Sequence, residues 1–197
     1  TDPNAPEDAT ANRLNEAVNC LANLQRMSEF DEFVEAVATS HSQQWHVLQA
    51  VSNQYFQQSG GGGFIVAGKF RRGPHRGGGE WANSIEHDRT RAFQLLEQAR
   101  PLVEKSQDPK ESKGGFFWQY AEMLYRGGGE SWRFQVLTDF SVLPDYEVGG
   151  GFGRRGYYGR PQSLAPVDEN GKPVFYGIPK SFEMAANDGE RWRWCLM

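Results

Sequence analysis

The stretch Phe64 to Gly79, FIVAGKFRRGPHRGGG, follows one glycine run (Gly60 to Gly63) and ends in another (Gly77 to Gly79). Glycine at this density interrupts helical order, so the chain is divided here into two blocks. On both sides apolar residues recur at three- and four-residue steps, the signature of amphipathic helices. The stretch itself carries a short β-prone run, Phe64 to Val66, then Lys69, Arg71, Arg72, His75 and Arg76. It is therefore either the connection between the blocks or the surface they present.

Ahead of it, Leu14, Val18, Leu21, Leu24 and Met27 form one helical stripe over 9–27, and Phe30, Phe33, Val34 and Val37 a second, with Ser28 as a candidate cap and Asp31 at the box position. Trp45, Leu48, Val51 and Tyr55 form a third from about Gln43 to Gln57. Short turns between such helices predict antiparallel neighbours sharing one core. Beyond the connection, Asn83 to Glu86 reads as a capping box opening the strongest helix, with Ala92, Leu95, Leu96, Ala99, Leu102 and Val103 as its buried stripe. Pro101 should kink that helix or split off its last turn. A fifth helix is predicted over about 116–126 and a sixth over about 131–140.

These lengths predict an all-α fold of tetratricopeptide-like helical hairpins, a short solenoid with long Gly/Pro-rich irregular segments. The expected organisation is N-terminal hairpins over 1–59, the basic Gly-rich connection over 60–82 and a second helical group over 83–142. An irregular segment over 143–180 precedes the start of a further helical unit at 181–197. Asp188 is a candidate cap for that last helix. Its position so near Met197 suggests that the chain is an N-terminal piece of a longer protein.

Arg71, Arg72, His75 and Arg76 are the candidate anion- or partner-binding residues, because flanking glycine amides can turn toward a phosphate or carboxylate. The phosphate-loop pattern fails, since no Lys-Ser/Thr follows the glycines. Such arginines equally bridge loops to acidic helices, and Glu80, Glu86 and Asp88 lie near. Segments 70–79 and 149–160 also resemble arginine–glycine boxes with aromatics, which bind single-stranded nucleic acid by charge and stacking. The formal charge of −4 over 197 residues opposes a general attraction to nucleic acid.

No catalytic, cofactor-binding or metal-ligating set is expected. His41, His46, His75 and His87 share no ligand spacing, and no nucleophile turn occurs. Asp31, Glu32 and Glu35 read as a solvated helix face. The tryptophans (residues 45, 81, 118, 132, 192 and 194) read as packing anchors. Cys20 and Cys195 are too few for a disulfide framework and read as buried thiols. No run is long enough for a membrane span.

The strings GFIVAGKFRRGPHRGGG (63–79), HDRTRAFQLLEQARPLV (87–103), WRFQVLTDFSVLPDYE (132–147) and APVDENGKPVFYGIPKSFEMAANDGERWRWCL (165–196) together resemble the N-terminal helical region of large bacterial, planctomycete-type alpha-2-macroglobulin-like proteins. The resemblance implies a secreted, periplasmic or cell-envelope protein of protease-inhibitor type. Neither cysteine is followed by Glu-Gln, so no thioester carries over, and no bait region is recognisable. The expected function is a non-enzymatic scaffold whose partners are proteins, including the rest of its own longer chain. Single-stranded nucleic-acid binding is the alternative.

Overall fold

The structure, a computed structural model, describes residues 7–58, 61–74, 76–126, 134–149 and 167–197. They fall into two compact units: Thr1–Ser106 with Phe140–Gly156, and Gln107–Asp139 with Tyr157–Met197.

The first unit opens with helices α1 (Glu7–Asn23), α2 (Phe30–Ser40) and α3 (Trp45–Gln58). Strands β1 (Gly62–Val66), β2 (Lys69–Arg72) and β3 (Glu80–Asn83) follow, then α4 (Ile85–Lys105) and the short β4 (Glu147–Val148). Helix α3 packs chiefly on α4, and α1 on α3. Phe30, Val34, Val47, Leu48, Val51, Tyr55, Phe93, Leu95 and Leu96 are fully buried or nearly so. At about 1.5–3 kcal/mol for each large side chain buried, this set is the unit's main source of stability. The hydroxyl of Ser52 donates to the carbonyl of Ala92 (2.9 Å), a polar tie where α3 meets α4.

The sheet overturns the all-α expectation, and the tetratricopeptide-like solenoid falls with it. Four strands run antiparallel in the order β2-β1-β3-β4. What reads as a connection is largely strand, and glycine permits it. A Cβ on Gly63 would lie 2.0 Å from the Arg71 carbonyl oxygen, and one on Gly62 would lie 2.7 Å from both Ala82 O and the Trp81 ring. Only residues without side chains let the neighbouring strands approach so closely. Ala67 and Gly68, both at positive φ (51° and 75°), make the two-residue turn from β1 to β2. Positive φ at both central residues matches the natural strand twist.

Other expectations shift in detail. Pro101 lies within α4, which continues unbroken to Lys105. The proline removes only the bond to the carbonyl of residue 97, one hydrogen bond in a helix of 21 residues. Among the described residues of 131–140 there is no α-helix.

In the second unit, α5 (Lys110–Arg126) begins six residues earlier than the apolar spacing suggests and contains Gly114 and Gly115. Helix α6 (Asp188–Cys195) is capped by Asn187, whose side chain accepts from the amide of Glu190 (2.9 Å). The expected cap, Asp188, is instead buried inside the first turn, where it accepts from Thr138 N (3.1 Å) and Arg191 Nη1 (2.9 Å). Rings of Phe117, Tyr120, Phe182 and Trp194 pack together between α5 and α6.

Candidate functional site

Arg72 ends β2, facing the first turns of two helices. Asp31 stands in the first turn of α2 and Asp88 in that of α4, where helix dipoles favour negative side chains. The guanidinium uses both forks. Nε and Nη2 donate to Asp31 (3.2 and 2.7 Å), and Nη1 and Nη2 donate to Asp88 (2.7 and 2.8 Å). Nη1 also donates to Ser84 Oγ (3.2 Å), whose hydroxyl donates in turn to Asp88 Oδ2 (2.7 Å). Five hydrogen bonds match the five N–H donors of an arginine. The planar cation lies over the rings of Phe30 (5.0 Å) and Phe70 (5.5 Å).

The group is almost dry: the side chains of Arg72 and Asp88 are 3 % and 0 % exposed, and that of Asp31 27 %. Burial alone would raise the Asp88 carboxyl, but hydrogen bonds from His87 and Arg72, with the arginine's charge, hold it below the usual range. Burial would lower Arg72, and hydrogen bonds to Asp88 and Asp31 push it up instead. Each partner therefore keeps the other ionised in a medium that would otherwise neutralise it.

A second pair lies along the same helices. Arg91 on α4 grips Glu35 on α2 through Nε and Nη2, both at 2.7 Å, and the Tyr55 hydroxyl donates to Glu35 Oε1 (2.8 Å). Burial would raise Glu35, but the Arg91 hydrogen bonds and charge outweigh it and leave its carboxyl lowered. Tyr55 is pushed up by burial and by the Glu35 charge. Next to Arg72, the ring of Phe70 stacks on Tyr146 (3.8 Å), and Tyr146 stacks on His87 (4.1 Å).

Of the four residues singled out by sequence, Arg72 is wholly engaged inside the unit. No donor remains for an external anion. Arg71 and Arg76 are exposed, and His75 lies outside the described residues. The register sets Arg71 opposite Phe64, and Phe64 opposite Trp81, so that one row crosses β2, β1 and β3. Residues paired this way share a sheet face, and alternation adds Lys69 and Val66 to it. Segment 150–160 lies outside the described residues.

The sequence reading placed Asp31 and Glu35 in solvent and did not single out Arg91, Ser84 or Tyr146. A faint signal existed: Asp31 and Glu35 are four apart, and Ser84, Asp88 and Arg91 follow at four and three, each set on one helical face. Trp118, expected as a packing anchor, is 60 % exposed, and Trp132 lies outside the described residues. Cys20 is exposed, not buried as expected, while Cys195 is buried; no disulfide links them.

Chemically, a carboxylate held below its ordinary range by a saturated guanidinium is a poor proton acceptor at neutral pH. This geometry suits a clamp between β2, α2 and α4. Among the described residues no group of three or more His, Cys, Asp or Glu could hold a metal ion, and no helix is long and apolar enough to cross a membrane. Comparison with protein-family models, curated proteins and solved structures returned no match.

Proposed function

We propose that this chain is a non-enzymatic protein-interaction region, a scaffold segment of a secreted or cell-envelope macroglobulin-like protein. The observation that carries the interaction reading is the set of large apolar side chains standing in solvent on the second unit. Trp118 and Tyr125, seven residues apart on α5, are 60 % and 56 % exposed, and Phe175 is 89 % exposed. Large aromatics exposed on a surface are the residue type that contributes most of the binding energy at contact sites. The macroglobulin assignment rests on the four sequence strings quoted above.

The test is crosslinking mass spectrometry on the intact native protein. Lys110, Lys113 and Lys180 belong to the same unit and should crosslink to segments beyond this region or to a partner protein. Crosslinks confined to this region, with native Trp118 and Tyr125 freely oxidised by hydroxyl radicals, would refute the reading.

Single-stranded nucleic-acid binding is the second reading. The row Arg71–Phe64–Trp81 favours it, since a cation beside two rings on a sheet can hold a stacked base. The chain's net charge of −4 and the complete engagement of Arg72 weigh against it.

A further inference from the structure

The outward face of the sheet combines two properties. The row Arg71–Phe64–Trp81 puts a guanidinium, a phenyl ring and an indole side by side, with Phe64 and Trp81 half-buried and Arg71 exposed. Arginine and large aromatics are the residue types enriched in binding hot spots. On β2 and in the loop that follows it, Lys69, Arg71 and Arg76 are all exposed, and none makes an ion pair among the described residues. The two nearest acids in the sheet are disposed differently. Glu147 carries its carboxylate on the same face but on the far strand, where it accepts from Asn83 Nδ2 (2.7 Å) and offsets only one of the three cations, and alternation sets Glu80 on the opposite face. An excess of positive charge therefore remains along β2 and the loop that follows it, in a chain that is acidic overall.

We propose that this sheet face docks an acidic, extended protein segment, its carboxylates reaching Lys69, Arg71 and Arg76 and an apolar side chain resting on Phe64 and Trp81. The proposal rests on the protein-interaction reading but concerns a different unit from the exposed aromatics of α5. Charge complementarity selects the partner. Exposed cations attract it over about 10 Å at 0.1 M salt, and the rings supply the contact that survives screening. A protein segment fits better than a nucleic acid because the patch holds only three cations within an anionic molecule, and a nucleic-acid footprint usually dominates its domain.

The test uses fluorescence anisotropy with three labelled probes: a peptide of alternating glutamate and valine, its lysine counterpart, and a single-stranded RNA of equal charge to the glutamate peptide. The whole chain should bind the glutamate peptide, more weakly at higher salt, and leave the lysine peptide unbound. In the double variant K69E/R71E the glutamate peptide should bind at least about tenfold less tightly, in line with reversing two complementary charges, while the lysine peptide gains. Both positions are exposed, so an unchanged thermal melt is expected and confirms that the variant folds. Equal binding of both peptides, no binding of either, or indifference to the charge reversal would overturn the proposal. RNA binding as tight as that of the glutamate peptide would overturn it in favour of nucleic acid. Because the crosslinking experiment reads the second unit, either result can fail without the other.

Discussion

Replacing Arg72 by methionine tests the clamp most directly. The substitution keeps much of the side-chain volume and the packing against Phe30 and Phe70, but removes all five hydrogen bonds. Asp31 is partly exposed and can recover water. Asp88 cannot: it is left fully buried, with only Ser84 Oγ at 2.7 Å and His87 Nδ1 at 3.4 Å. Removing one partner of a buried pair costs about 3–5 kcal/mol, because the remaining charge has lost its compensation. The loss is to be read from urea unfolding together with amide exchange on α4, since two compact units need not unfold as one. The double variant R72M/D88L should recover part of the loss, because two apolar residues leave no buried charge behind.

The same reasoning fixes a sign for pH. The Asp88 carboxyl is lowered in the folded protein, so its contribution is present above its unfolded value of about 3.9 and is lost as pH falls through the lower folded one. In R72M the carboxyl should rise, and stability should improve on acidification where the native protein loses it. An R72M protein within about 1 kcal/mol of the original, or one with the same acid limb, would refute the clamp.

Two further outcomes test the hairpin. Ala67 holds φ at +51°, where an L side chain is disfavoured by about 1–2 kcal/mol; Ala67→Asn, better suited to that region, should stabilise by about 0.5–1 kcal/mol in the same urea titration. Gly63→Ala should do the opposite, since its Cβ would meet Arg71 O at 2.0 Å; amide protection across β1 and β2 should fall while that of α5 is unchanged.

Much of the helical architecture was legible in the residues. The stripes over Leu14–Met27, Phe30–Val37, Trp45–Tyr55 and Ala92–Val103 depend on local spacing, and that pattern is enough to assign α1 to α4 and much of their buried faces, although Leu24 is 64 % exposed and Leu102 only half-buried. The sheet was not legible. Its longest apolar run is three residues, its glycines read locally as loop, and β3 pairs with β4 across more than sixty positions. Only the tertiary structure shows that glycine at positions 62 and 63 marks close strand approach.

The candidate site divides along the same line. Sequence alone determined that an arginine-rich tract interrupts the helices and that Arg72 had to be either a ligand contact or a bridge. The three-dimensional arrangement chose between them by bringing the first turns of α2 and α4, 57 positions apart at Asp31 and Asp88, to within hydrogen-bonding reach of one guanidinium. Helical periodicity is a property of neighbours along the chain. Charge pairing depends on which distant groups the core brings together as it excludes water, and no stretch of sequence carries that by itself.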